Sequence, residues 1–146
     1  MTLPKPEAGL VIRYSYLWYD EHLAGREDGT KDRPCAIILV VAGQPEERER
    51  VLVLPVTHTQ PRDPTEAIEI PSVIKQRIGL DSERSWVVFV EHNEFDWPGP
   101  DIRRVGDRDN SSIVYGKLPS RFLAAIQAKY LEAVKARKVR RVPRTE

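Results

Sequence analysis

The sequence predicts a mainly β protein with additional α-helix (α+β), in which a small antiparallel barrel carries one C-terminal helix. Three observations support this prediction. Roughly five to seven short segments have strand character. Helical patterns do not alternate regularly with them, as a doubly wound parallel sheet would require. The most regular helical pattern comes last. A chain of 146 residues is long enough for one ordinary domain with a sizeable core.

Composition excludes several other classes of protein. Hydrophobic residues make up 40% of the chain and charged residues 31%, which argues against extensive disorder. No apolar run approaches the roughly 18 residues of a membrane span, so no membrane contact is expected. The first ten residues, MTLPKPEAGL, lack the basic start and apolar stretch of a secretion signal, and we therefore expect a cytoplasmic protein.

Three strand patterns occupy the first part of the chain. Residues 10–18 alternate with a period of two, which indicates a half-buried strand. Residues 34–41 form a continuous apolar run, which is typical of a central strand. Residues 51–59 predict a third strand, in which Pro55 indicates an edge or a bulge. The polar residues 19–33 predict a long loop, and loops of that length are often functional.

Shorter patterns follow in the second part. A short helix is predicted at residues 71–79, with Ser72 as its cap and Gly79 as its end. Residues 93–100 are aromatic, acidic and proline-bearing, and they predict no regular element. Short strands are predicted at residues 67–70, 86–91, 101–105 and 113–115.

The C-terminal helix is the clearest element. Pro119 suits a first helical turn, and Phe122, Ile126, Tyr130 and Val134 recur every four residues.

Basic residues are concentrated at the C-terminal end. From residue 129 onward seven basic and two acidic side chains give a net charge of +5. Such an end either attracts a polyanion or is a solvated helix end that suits the helix dipole. Charge alone favours the solvated end.

Metal and cofactor sites are not predicted. The histidines His22, His58 and His92 have no metal-binding spacing, and no calcium-loop pattern occurs. The single cysteine, Cys35, can form neither an internal disulfide nor a thiolate zinc site, and we expect it to be a buried structural thiol. The fragment at residues 29–31 lacks the frame of a nucleotide-binding loop.

Three polar clusters are candidates for chemistry. Residues 31–34 place an arginine at the start of the central strand, where it can face a phosphate or pair with a carboxylate such as Asp32. Residues 57–59 place two hydroxyl groups and an imidazole at a strand end, which is also ordinary strand composition. Residues 91–94 place a carboxylate and an imidazole after an apolar strand, where they can move protons or form a polar turn.

Five motifs occur in a characteristic order along residues 9–134. They are Gly25-Arg26-Glu27 with Gly29, Arg33-Pro34-Cys35-Ala36-Ile37-Ile38-Leu39, Val53-Leu54-Pro55-Val56-Thr57, Ser85-Trp86-Val87-Val88-Phe89-Val90-Glu91, and Tyr115-Gly116-Lys117-Leu118-Pro119. In this order and spacing the chain resembles the PemK/MazF family, the growth-inhibiting toxins of bacterial toxin–antitoxin systems.

The resemblance implies an SH3-like barrel, often dimeric, that cleaves single-stranded RNA without a metal or other cofactor. It also implies a cognate antitoxin protein that blocks the RNA groove. Arg33 and Thr57 match the usual functional pair of the family. The resemblance also sets the domain boundaries, with a single PemK/MazF-like barrel domain at residues 1–136 and a basic C-terminal tail at residues 137–146.

Metal-free RNA cleavage needs a base for the attacking 2′-hydroxyl, an acid for the leaving oxygen and positive charge at phosphorus. We expect Arg33 to stabilise the phosphorane and Thr57 to hold a phosphate oxygen. Proton transfer is expected from Glu91 or from a histidine. Strand alternation places His58 opposite Thr57, unless Pro55 introduces a bulge, and His92 opposite Glu91, so at most one residue of each pair lines the site. The further substrate-binding candidates are Lys31, Arg26, His58, His92 and Trp97.

Two other interpretations remain open. The loop sequence Gly25-Arg26-Glu27-Asp28 lacks the glutamine usual in the family, and the segment after Glu91 lacks the usual arginine and threonine. A non-catalytic barrel that binds nucleic acid or a protein partner is therefore the first alternative. The second is a domain that only docks an antitoxin helix, which would require a long apolar groove and no basic floor.

Overall fold

The computed structural model describes residues 3–29, 31–43, 48–106 and 112–144, and these contain nine strands and three helices. The strands are β1 (Leu10–Tyr14), β2 (Arg33–Val41), β3 (Arg50–Thr57), β4 (Ala67–Glu69), β5 (Trp86–Val88), β6 (Glu91–Asp96), β7 (Ile102–Arg103), β8 (Val114–Lys117) and β9 (Arg140–Pro143). The helices are α1 (Tyr19–Leu23), α2 (Ser72–Arg77) and α3 (Ser120–Lys135). The predicted mainly β class with a C-terminal helix is confirmed.

The strands form one sheet, which is open within the described part of the chain. Its main path runs β4-β5-β3-β2-β1-β7, while β8 pairs with β1 and β6 pairs with β3. These pairs are antiparallel, as the sequence predicts. The exception is β9, which lies parallel to β6.

Strand β3 is central because it pairs along both edges. One edge pairs with β2. The other pairs with β6 at Arg50–Val53 and with β5 at Val56 and Thr57. Pro55 lies in the short stretch between these two partners, where a residue without an N–H costs the sheet no hydrogen bond on that edge. The β-bulge in the pairing of β2 with β3 lies between Ile37 and Leu39 of β2, not at Pro55.

The hydrophobic core lies on both faces of the sheet. On β2, Ala36 and Ile38 belong to one buried cluster, and Cys35 and Ile37 belong to the other. Because successive side chains of a strand point to opposite faces, a strand covered on both sides needs a continuous apolar sequence. The apolar run at residues 34–41 has this physical cause.

Helix α3 packs against the first of these clusters. Ile126 is fully buried, and Phe122 and Tyr130 are partly buried there, as predicted from their spacing. Val134 is exposed and Ala133 takes the inward position instead, because the buried stripe follows a period near 3.6 and not 4. No helix within the described ranges has the length and apolar character needed to cross a membrane.

Residues 19–33 are not entirely loop, because α1 begins at Tyr19 and the predicted strand at residues 10–18 ends at Tyr14. The sequence gives little sign of α1, since none of its residues is buried. Gly29 lies against the backbone of Tyr16, just after the end of β1. A Cβ there would overlap the carbonyl oxygen of Tyr16, so only glycine fits.

The predicted strand at residues 86–91 is two strands, β5 and β6, and β6 extends through residues for which no element was predicted. Strand β6 is polar in sequence, yet four of its six residues are buried. Its carboxylate Glu94 accepts hydrogen bonds from Arg50 Nε at 3.0 Å and Arg141 Nη2 at 3.0 Å, and it contacts His92 Nε2 at 3.0 Å. Asn93 Nδ2 donates to the Leu17 carbonyl at 2.7 Å. Buried polar groups need such partners.

The basic C-terminal segment joins the sheet through β9, which corrects the prediction of a tail at residues 137–146 as far as residue 144; residues 145 and 146 lie outside the described ranges. Val142 of β9 is fully buried. The buried Arg144 guanidinium donates to the Ser15 carbonyl at 2.7 Å and to Asn93 Oδ1 at 3.0 Å, and it pairs with Asp101 at 3.1 Å. The Arg144 charge therefore serves interior acceptors, whereas the other basic side chains from residue 129 onward are exposed.

Candidate functional site

Arg33 and Thr57 lie at adjacent strand ends. The β2–β3 register places Cys35 opposite Pro55, and the same register brings the first residue of β2 beside the last residue of β3. The Arg33 guanidinium lies over the Trp18 ring, 4.9 Å from its centroid, and donates to the Val56 carbonyl at 3.4 Å. Burial lowers the pKa of Arg33, but a guanidinium remains charged at neutral pH.

Arg33 has no carboxylate partner among the described residues. Asp32 instead pairs with Arg13 at 3.5 Å and Arg103 at 3.8 Å, so the alternative of an Arg33–Asp32 ion pair is wrong. Arg33 Nε is buried, and no hydrogen-bond acceptor for it occurs in the described ranges. Most buried donors in proteins are satisfied, so this unpaired N–H is an uncommon feature of the Arg33 environment.

Two adjoining depressions meet at Lys31, Arg33 and Thr57, and we call them together the Arg33 cleft. The first has a volume of about 370 Å³ and the second about 350 Å³. The first is also lined by Trp18, Thr59, Gln60, Pro61, Arg62, Glu66, Ala67 and Val88. The second is also lined by Asp32, Pro34, Val56, His58, Gly79, Leu80, Asp81, Ser85 and Tyr115.

The charges of the Arg33 cleft favour an anionic ligand. Lys31, Arg33 and Arg62 all line it. Three carboxylates also line it: Asp32 and Asp81 already have cationic partners, Asp32 in the pairs described above and Asp81 in a pair with Lys75 at 2.9 Å, and the third is Glu66. The Thr57 hydroxyl accepts the Thr59 N–H at 3.1 Å and can still donate its own hydrogen to a phosphate oxygen.

His58 lines the cleft together with Thr57, although strand alternation predicted opposite faces. The difference arises because β3 ends at Thr57, and alternation no longer applies to the residue that follows. His58 Nε2 lies 2.9 Å from Asp81 Oδ2. A hydrogen bond from Lys75 lowers the pKa of Asp81. The ionised Asp81 therefore orients an imidazole at the edge of the cleft.

Glu91 does not line the Arg33 cleft. Its Oε1 accepts hydrogen bonds from the Tyr16 hydroxyl at 3.1 Å and from the first backbone N–H of α1, that of Tyr19, at 3.0 Å. Burial raises the pKa of Glu91. In this structure the carboxylate anchors α1 to the sheet, which corrects the expectation that it acts beside Arg33.

Glu91 lines a neighbouring groove of about 1240 Å³ between residues 63–69 and the end of α3, and this groove shares Glu66 and Ala67 with the Arg33 cleft. Acidic and basic side chains both line this groove: Asp63, Glu66, Glu69, Glu91, Glu132, Lys129, Arg137, Lys138 and Arg140. This surface is charged and does not match the long apolar groove that a helix-docking domain would need.

His92 is buried, so the expectation that it binds substrate is wrong for this structure. Burial lowers the pKa of His92 and raises that of Tyr130 to about 12. The Tyr130 hydroxyl therefore keeps its proton and donates to His92 Nδ1 at 2.8 Å. The imidazole proton then resides on Nε2 and is donated to Glu94.

Trp97 and Arg26 also lie outside the cleft. Trp97 is buried against Phe95, with ring centroids 6.2 Å apart, and its indole N–H donates to the Pro4 carbonyl at 3.1 Å. Its side chain is 8% exposed, which corrects the expectation that it binds substrate. Arg26 is exposed and pairs with Glu21 at 3.8 Å.

Sequence reasoning missed three residues that line the cleft. Trp18 closes the alternating pattern at residues 10–18, which predicts a strand residue and no role at the site, but it is half-buried beneath the Arg33 guanidinium. Arg62 lies between two prolines in a loop that gave no sign of function. Tyr115 reaches the cleft through β8, which pairs with β1. No local pattern reveals such long-range neighbours.

Comparisons with known proteins add no relative. No protein-family model matches the chain, and no curated protein matches it. The likeness to the PemK/MazF family therefore depends on the motifs and their order alone.

Proposed function

We propose that this chain is a metal-independent endoribonuclease that cleaves single-stranded RNA in the Arg33 cleft and thereby inhibits growth. On this proposal the fold is an SH3-like barrel of the PemK/MazF type, the chain acts as a homodimer, and a cognate antitoxin restrains it. The observation that carries the proposal is the meeting of Arg33, Lys31, Thr57 and His58 in one cleft, with the guanidinium free of any carboxylate in the described part of the chain.

The proposed reaction is an internal transesterification. The 2′-oxygen of a nucleotide forms a bond to the adjacent phosphorus, and the bond from phosphorus to the 5′-oxygen breaks. His58 accepts the proton of the 2′-hydroxyl, and the leaving 5′-oxygen takes a proton from water in the open cleft. The products are a 2′,3′-cyclic phosphate and a 5′-hydroxyl.

The other cleft residues act on charge and position. Arg33 and Lys31 face the negative charge that builds on the phosphorane oxygens, and Thr57 donates a hydrogen bond to one of them. Because DNA has no 2′-hydroxyl, a DNA strand of the same sequence is expected to remain intact.

Replacement of Arg33 tests the proposal. We expect Arg33→Ala to lower the rate of RNA cleavage in EDTA by at least about 100-fold, because the guanidinium contact strengthens in the transition state. Arg84→Ala is a matched control. Arg84 also lies 4.9 Å from the ring centroid of a tryptophan, Trp86, but it is 64% exposed, pairs with Glu69, and is not among the residues that line the cleft.

Circular dichroism would first establish that both variants are folded. Cleavage by Arg33→Ala at the rate of the unchanged protein would refute the assignment of the cleft. An unchanged protein that binds the RNA strand but leaves it intact would instead support the non-catalytic alternative.

A further inference from the structure

We propose that His58, Asp81 and Glu83 form a binding site for Zn²⁺. The three side chains are exposed, and one potential ligand atom from each lies within 4.8 Å of the others. An imidazole nitrogen and two carboxylate oxygens are a ligand set that zinc accepts, with water in the fourth position. Glu83 is not among the residues that line the Arg33 cleft, and the motifs used in the sequence analysis do not include it.

The distances between these atoms suit a tetrahedral ion. With bonds of about 2.0–2.2 Å, two ligands of tetrahedral zinc are separated by about 3.3–3.5 Å. His58 Nε2 lies 3.6 Å from Glu83 Oε2 and 2.9 Å from Asp81 Oδ2. Side-chain movements of a few tenths of an ångström would bring these two pairs to that separation, and the Asp81 and Glu83 oxygens lie within 4.8 Å of each other.

A buried lysine organises the loop that carries the two carboxylates. Lys75 is 3% exposed, and its ammonium group donates to Asp81 Oδ1 at 2.9 Å, to Ser85 Oγ at 2.8 Å and to the Glu83 carbonyl. The Glu83 N–H also donates to Asp81 Oδ1. Outer partners of this kind fix the orientation of a metal-binding carboxylate. The hydrogen bonds from Lys75 and from the Glu83 N–H are made to Asp81 Oδ1, whereas Asp81 Oδ2 is the oxygen nearest to His58 Nε2.

Occupancy has a consequence that rests on the proposed function. Because His58 Nε2 donates its proton to the ionised Asp81, the nitrogen proposed to accept the 2′-hydroxyl proton is Nδ1. Zinc bound at Nε2 would move the imidazole proton to Nδ1 and so occupy the lone pair that cleavage needs. Zinc should therefore inhibit cleavage by a nuclease that needs no metal.

Calorimetric titration of ZnCl₂ into protein stripped with EDTA and then desalted tests the site. We expect one zinc ion per chain. Loss of even an outer partner of a metal typically weakens binding by about 10- to 100-fold, so His58→Gln and Glu83→Gln should each weaken it by at least about tenfold. His22→Gln, which removes a histidine of α1, is the matched control and should bind as the unchanged protein does. Asp81→Asn is a poorer test because Asp81 also neutralises Lys75.

Absence of one-to-one binding, or equal binding by the His58 and Glu83 variants, would overturn the zinc site. The two proposals fail separately. A protein that binds zinc at these residues but leaves RNA intact in EDTA retains the site and refutes the proposed function. A protein that cleaves RNA in an Arg33-dependent manner but binds no zinc refutes the zinc site and retains the proposed function.

Discussion

Replacing Glu94 with glutamine should destabilise the protein in a pH-dependent way. The Glu94 carboxylate is 8% exposed and receives hydrogen bonds from strands β3 and β9 and from His92 within its own strand. Glu94→Gln keeps the size of the side chain but removes the negative charge. The substitution therefore tests whether this charge joins the C-terminal strand to the sheet.

The pKa of Glu94 gives the magnitude. Burial alone would raise this pKa, but hydrogen bonds from Arg141, His92 and Arg50 outweigh burial and lower it from 4.5 to about 2. A difference of about 2.5 in pKa corresponds to about 3 kcal/mol as an upper bound. Because the Arg141 side chain is 64% exposed and solvent weakens its interaction, we expect a loss of about 1–2 kcal/mol at pH 7.

The sign of the pH dependence follows from the lowered pKa. The ionised carboxylate stabilises the folded state above about pH 4.5, and this contribution is lost as the pH falls toward about 2. Urea unfolding followed by circular dichroism, at several pH values between these limits and at pH 7, would measure the free energy of unfolding. The unchanged protein and Glu94→Gln should converge at low pH.

Asp96→Asn is the control for the Glu94 measurement. Asp96 accepts a hydrogen bond from the same Arg50 at 2.9 Å, but its side chain is 43% exposed. We expect a change within about 0.5 kcal/mol. A difference between the unchanged protein and Glu94→Gln that stays constant from pH 7 to the acid limit would refute the reasoning, because a charge-independent packing effect would then explain it.

Two further predictions concern the contacts around β6. Tyr130→Phe leaves His92 Nδ1 buried without its hydrogen-bond donor and should lower the free energy of unfolding by about 1–2 kcal/mol, measured by urea unfolding; an unchanged value would show that water replaces the hydroxyl. Deletion from Arg140 onward removes β9 with the buried Val142 and should lower the melting temperature by several degrees or prevent folding; a melting temperature equal to that of the full chain would show that β9 does not support the sheet.

Local patterns predicted the elements whose stability depends on apolar packing. Strand β2 was predicted because both of its faces are covered, and α3 because Phe122, Ile126 and Tyr130 face the sheet. Strands β6 and β9 were not predicted. Their sequences are polar, and the partners of Glu94 and Asn93 lie as far as 76 residues away; they are Leu17, Arg50, Arg141 and Arg144. Hydrophobic periodicity within a short window of sequence cannot identify partners that are distant along the chain.

The candidate site was also predictable only in part. Antiparallel pairing of two adjacent strands brings Arg33 and Thr57 together, and the motif order identified both residues. The neighbourhood of His58 depends on Asp81, 23 residues away in a loop, and the position of Trp18 depends on where β1 ends. These are tertiary facts that neither spacing nor composition specifies.

The stacking of Arg33 on Trp18 gives the protein an intrinsic optical probe. The sequence contains three tryptophans, and the structure buries Trp86 and Trp97 while Trp18 lines the cleft. Indole emission responds to a cation above the ring, so a ligand that draws the guanidinium away will change the fluorescence of Trp18. Titration of an unlabelled, uncleavable oligonucleotide would then report cleft occupancy directly, and Trp18→Phe would abolish the signal.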